Sequence, residues 1–61
     1  MNREHLLKHL RRLGCYLKRE GRRHSLWRNA ATGESETVPR HTEIPERLAR
    51  RICRNLSLPE P

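Results

Sequence analysis

The residue best placed to do chemistry is His24, in the stretch EGRRHSLWRN from Glu20 to Asn29. Arg19, Arg22, Arg23 and Arg28 all lie within five positions of it. So many fixed cations disfavour a protonated imidazole, so the ring is expected to be neutral at pH 7 and able to accept a proton. Beside a bound phosphodiester, such a ring could take the proton of an RNA 2′-hydroxyl, whose oxygen would then attack the adjacent phosphorus. Neighbouring guanidiniums would stabilise the charge growing on the non-bridging oxygens, with no metal or other cofactor required. The candidate phosphate-holding residues are Arg19, Arg22, Arg23, Arg28 and Lys18. The competing reading of His24 is a strand-edge histidine that makes one backbone hydrogen bond.

His41, in VPRHTE, is the second imidazole of interest. It could protonate the leaving 5′-oxygen, or it could be an ordinary loop histidine near a helix start; His24 could also perform both transfers in turn. Tyr16 and Trp27 offer surfaces on which bases could stack, although Trp27, the largest apolar group in the chain, is equally suited to a core. His5, His9, His24 and His41 are scattered, and none follows a cysteine pair at finger-like spacing, so no metal site is expected. Cys15 and Cys53 have no CxxC partners and are expected to be small core residues.

These side chains need elements to hold them. Leu6, Leu7, Leu10 and Leu13 recur at helical spacing, with Arg3, Lys8, Arg11 and Arg12 on the other faces. The spacing predicts a helix over about 3–13, capped by Asn2 and stopped by Gly14. CYLKRE alternates, with Cys15, Leu17 and Arg19 on one side and Tyr16, Lys18 and Glu20 on the other. HSLWRN alternates likewise, and Gly21 to Arg23 form the turn between, giving a hairpin of strands at about 15–20 and 24–29. Gly33 marks a second turn, followed by a strand at about 34–38 that Pro39 ends. Ile44, Leu48, Ile52 and Leu56 then space a helix over about 45–56, with Pro45 in its first turn and Leu58 closing the core.

The order is α-β-β-β-α. Three short antiparallel strands cannot cover themselves, so both helices should pack on one sheet face and leave the other open. This is the layout of a double-stranded-RNA-binding type of α+β domain, with residues 1–61 forming one unit. A chain of 61 residues buries only about 60% of the surface it exposes when unfolded, so the core must be thin.

Composition narrows the partner. The formal net charge is +7, and 12 of the 14 basic residues are arginine. Guanidinium forks match phosphate oxygens in pairs and stack on bases, which suits nucleic acid. A membrane surface would call for a helix with a broad apolar face and aromatic anchors, which is lacking. No apolar run approaches the roughly 20 residues of a membrane span, and no signal-peptide pattern opens the chain, so a cytoplasmic location is expected.

LLKHLRRLGCYLKREGRRHSLWRN, then TVPRH, then IPERLARRICRNL together resemble the HicA-type mRNA interferase toxins of bacterial toxin–antitoxin pairs. The resemblance runs from about Glu4 to Leu58. It implies a double-stranded-RNA-binding-like fold and a lone catalytic histidine, which falls on His24. It also implies an endoribonuclease that cleaves mRNA, arrests translation and growth, and is neutralised by a cognate HicB antitoxin covering the active site. The family usually has a glycine or serine just before the histidine's turn residue, where this chain has Arg22 and Arg23, and a proline where Ala30 stands. Two other classes remain: a non-catalytic RNA-binding module using the open basic face, and a small DNA-binding regulator. The first is the main alternative, and no DNA binding by this chain alone is expected.

Overall fold

The computed structural model describes residues 1–61. Helix α1 spans Arg3–Arg12; strands β1, β2 and β3 span Cys15–Glu20, His24–Asn29 and Ser35–Pro39; helix α2 spans Glu46–Asn55. The Asn2 side chain accepts the Glu4 N–H at 2.8 Å and so caps α1, while Gly14, at φ +93°, turns the chain out of it. Gly33, at φ +80°, makes the β2–β3 turn. Pro45 is the N-cap of α2 rather than a residue of its first turn, and Leu56 is the C-cap. No helix is long and apolar enough to cross a membrane.

The sheet is antiparallel in the order β1-β2-β3, so β2 is central. Its phase decides everything on both faces. Ser25, Trp27 and Asn29 are buried, and the intervening His24, Leu26 and Arg28 point to the other side. Leu6, Leu7 and Leu10 of α1, Ala49, Ile52 and Cys53 of α2, and Ile44, Leu56, Val38 and Cys15 complete the core around Trp27. Leu48 and Leu58 pack against it half-buried. Both helices therefore cover one face and the other is open, the double-stranded-RNA-binding type of layout.

Strand β1 departs from simple alternation. The register runs Leu17 opposite Trp27 and then Arg19 opposite Leu26, so Lys18 sits in a bulge. The extra residue moves Arg19 onto the open face with Tyr16, instead of onto the face of Cys15 and Leu17. Burial desolvates both cysteines and pushes their thiols up from the ordinary value, which keeps them protonated.

Trp27 is only 2% exposed, so it is a core residue and not a stacking surface for bases. Its indole nitrogen has no partner, and the Arg11 guanidinium stands 5.2 Å from the ring centroid.

Two polar clamps tie the helices to the sheet. Asn29 donates from Nδ2 to the Leu56 carbonyl at 2.7 Å and accepts the Ala31 N–H at 2.9 Å, joining the end of α2 to the β2–β3 turn. At the opposite end, Arg3 leaves the solvated faces expected of it. It donates from Nε to the Pro39 carbonyl at 2.8 Å and from Nη2 to the buried Ser25 hydroxyl at 2.6 Å. The segment before α1 also pairs with the β3–α2 loop, through Arg3 N–H to the Thr42 carbonyl and Ile44 N–H to the Met1 carbonyl.

Helix α2 stops on Ser57, a non-glycine residue at φ +57°. The Leu58 N–H reaches the Cys53 carbonyl and the Ser57 N–H the Arg54 carbonyl, the paired bonds of a Schellman stop. The Ser57 hydroxyl donates to the Glu34 carboxylate at 2.5 Å, tying this stop to the β2–β3 turn.

Asn29→Ala strands the buried Leu56 carbonyl and is expected to destabilise the fold by about 1–3 kcal/mol, read by urea unfolding. A change below about 0.5 kcal/mol would refute the clamp. Hydrogen bonds from Ser57 and then Thr32 hold the Glu34 carboxyl below its ordinary value. Its contribution to stability is therefore present above the unfolded value, roughly 4.3, and lost as pH falls through the lowered folded one. Ser57→Ala is expected to move the Glu34 carboxyl titration upward, followed by carbon NMR.

Candidate active site

The β1–β2 turn sets His24 in place. The Gly21 N–H donates to the His24 carbonyl at 2.8 Å, closing the turn over Arg22 and Arg23. A Cβ on Gly21 would lie 2.6 Å from that same carbonyl oxygen, far inside contact distance. Only glycine fits this approach. The chain then enters β2 at His24, whose side chain is exposed on the open face.

Across the ladder His24 pairs with Pro39. The bond closing this end runs from the Arg40 N–H to the Arg23 carbonyl, at 3.2 Å, one residue beyond the pair on each strand. His24 and Pro39 are therefore a non-hydrogen-bonded pair, in which side chains come close and an N–H is not required. This is why a proline is tolerated as the last residue of β3 instead of ending the strand before it. Behind the pair, Arg3 grips both strands at once, through the Ser25 hydroxyl on β2 and the Pro39 carbonyl on β3.

Arg40 completes the arrangement. Its Nη1 donates to the Gly21 carbonyl at 3.2 Å and lies 3.7 Å from a Glu20 carboxylate oxygen, so it staples the β3–α2 loop to the hairpin turn. His41 follows directly. Arg23, His24, Arg40 and His41 line an open cleft of about 500 Å³. Two imidazoles and two guanidiniums thus share one concavity whose lining includes no carboxylate. Both rings are exposed. Among the histidine rings, only that of His9 is bonded elsewhere in the chain, to the Pro59 carbonyl and Arg12.

Of the residues proposed from sequence, His24, Arg23 and His41 come together here. Arg22 is exposed at the turn beside them. Arg28 does not reach the cleft. It pairs with Ser35, and its guanidinium lies against Gly33, four residues along β2 from His24, about 13 Å away. Lys18 is in the β1 bulge, and Arg19 and Tyr16 stand on the open face, Tyr16 45% exposed. Trp27 lies beneath that face, in the core.

Two contributors escaped the sequence reading. Arg40 sits between Pro39 and His41 in VPRHTE, and a cation immediately before a candidate histidine was a usable signal. Arg3 gave none, because on a helical wheel it reads as solvated.

Such a cleft can bind an oxyanion between cationic side chains and offer it an unprotonated or protonated ring nitrogen.

No curated protein and no solved structure matches the chain. The family model described as the HicA toxin of bacterial toxin-antitoxin matches residues 3–58, and so covers α1, all three strands and α2. The protein therefore belongs to the HicA family, the toxins of bacterial toxin–antitoxin pairs, and a cognate antitoxin is its partner.

Proposed function

We propose that this toxin is an endoribonuclease that cleaves mRNA at the His24 cleft and so stops translation and growth. The observation that carries the reading is the cleft itself, where an exposed imidazole shares its walls with Arg23 and Arg40 and with no acidic group. A phosphodiester bound there is neutralised by guanidiniums, and His24 accepts the proton of the 2′-hydroxyl. The freed oxygen attacks phosphorus, the bond from phosphorus to the 5′-oxygen breaks, and the products end in a 2′,3′-cyclic phosphate and a 5′-hydroxyl. DNA lacks the nucleophile and is not a substrate.

The open face supplies the approach. Tyr16, Arg19 and Arg28 on that face, with Lys18 at its edge, offer one aromatic surface and several cations to a single strand, with affinity that falls as salt rises. The cognate antitoxin, of the HicB type, neutralises the toxin by covering the cleft, and an acidic covering surface complements what lines it.

His24→Ala is expected to lower RNA cleavage at least about 10²-fold, the scale of one general base, while circular dichroism and thermal melting stay as in the parent. A single 2′-deoxy substitution at the cleaved position should protect the strand, and chelators should leave the rate unchanged. Unaltered activity in His24→Ala would sink the nuclease reading and leave an RNA-binding module. Gly21→Ala forces the turn away from the His24 carbonyl. A misplacement of about 1 Å at the reacting group is expected to reduce cleavage about 10²-fold, with loss of amide-exchange protection at Gly21 as the structural readout.

A further inference from the structure

His24 alone leaves the reaction unfinished. The 5′-oxygen departs as an alkoxide unless a proton reaches it. An imidazole that has just accepted the 2′-hydroxyl proton stands on the nucleophile's side of the phosphorus, whereas an in-line displacement expels the 5′-oxygen on the opposite side. A second acid beyond the phosphate serves that oxygen directly.

We propose that His41 is this group, donating a proton to the leaving 5′-oxygen while His24 takes one from the 2′-hydroxyl. The inference rests on the nuclease reading above and adds a second catalytic histidine to it. His41 lines the same cleft as His24, from a different element, with Arg23 and Arg40 as the other lining groups.

The loop that bears His41 is fixed on both sides. Before it, the Arg40 N–H is bonded to the Arg23 carbonyl, and the Arg40 guanidinium is held by the Gly21 carbonyl and Glu20. After it, the Thr42 carbonyl accepts the Arg3 N–H at 2.8 Å, and Glu43 makes a bridge with Asn2. The backbone on either side of His41 is thereby held, so its ring is carried at a fixed place on the wall of the cleft. Arg40 is a positioning residue in this scheme, because its contacts fix the loop relative to His24.

The step balances without any co-reactant. The 2′-oxygen to phosphorus bond forms, the phosphorus to 5′-oxygen bond breaks, His24 gains a proton and His41 loses one. Solvent exchange then resets both rings, which are exposed.

The test is single-turnover cleavage of a short single-stranded RNA and of its twin carrying sulfur in place of the leaving 5′-oxygen. A thiolate leaves without being protonated, so the twin does not need a general acid. His41→Ala is expected to lose about 10²- to 10⁴-fold on the oxygen substrate and to remain within about 10-fold of the parent on the sulfur substrate. His24→Ala should be slow on both. His41→Gln serves as a second variant, and thermal melting confirms that each protein is folded. Equal losses on both substrates would make His41 structural, and parental rates on the oxygen substrate would make it a bystander. Either result overturns the proposal while the nuclease reading stands. A parent protein that cleaves neither substrate would instead overturn the nuclease reading on which it rests.

Discussion

Burial of Trp27 fixes the phase of β2, and the functional surface depends on that phase. Successive side chains in a strand point to opposite faces, so placing the indole among Leu6, Leu10 and Ile52 also turns Ser25 and Asn29 inward. His24, Leu26 and Arg28 are then obliged to face out. A slip of one residue would bury an imidazole and a guanidinium and expose the largest apolar side chain in the molecule. The penalty for that exchange is large in a core this small, because an unpaired buried cation is among the costliest groups a fold can hold. The exposure of His24 is thus a consequence of core packing three residues further along the same strand.

The backbone was largely legible in the sequence, and for identifiable reasons. The leucine spacing of α1, the alternation on either side of Gly21 and the four-residue spacing of α2 are signals that each element carries within itself. What stayed hidden depends on contacts between elements. The Lys18 bulge cannot be read from CYLKRE, because it arises in the pairing of β1 with β2, and it alone moved Arg19 to the open face. Trp27 could be assigned to either face until the helices were in place. Pro39 looks like a strand terminator, yet falls at a non-hydrogen-bonded position where its missing N–H does no harm. Arg3 looks like a surface cation and is instead the clamp behind the site. In the cleft, His24, Arg23 and His41 were legible as candidates by type, and Arg40 by its place beside His41, whereas its hold on the Gly21 carbonyl depends on a contact between elements.

The two ends of the sheet are built differently. At the Asn29 end, a buried side-chain amide, a Schellman stop and the Ser57–Glu34 bond join α2 to the β2–β3 turn, and the polar groups there satisfy one another. At the His24 end, Arg22, Arg23, Arg40 and His41 are exposed, and the one carboxylate near Arg40 is a half-exposed Glu20 at 3.7 Å. Exposed pairs at such distances are worth about 0–1 kcal/mol, so Glu20 does not neutralise this end in any strong sense. Like charges held close are mutually destabilising, and the gain from an incoming anion is correspondingly greater.

That asymmetry explains how so small a fold can carry a net charge of +7 and still hold its site in order. The cations of the cleft are carried on backbone that is fixed by other means. Gly21 closes the turn, Arg40 N–H joins it to β3, and Arg3 holds β2, β3 and the following loop from behind. None of these bonds requires the charges of Arg22, Arg23, His24 or His41, whose side chains stay exposed. The same free charges make the end of the sheet complementary to any acidic surface of matching shape. Under the function proposed above, a nucleic acid strand and an acidic antitoxin surface would compete for this one set of groups.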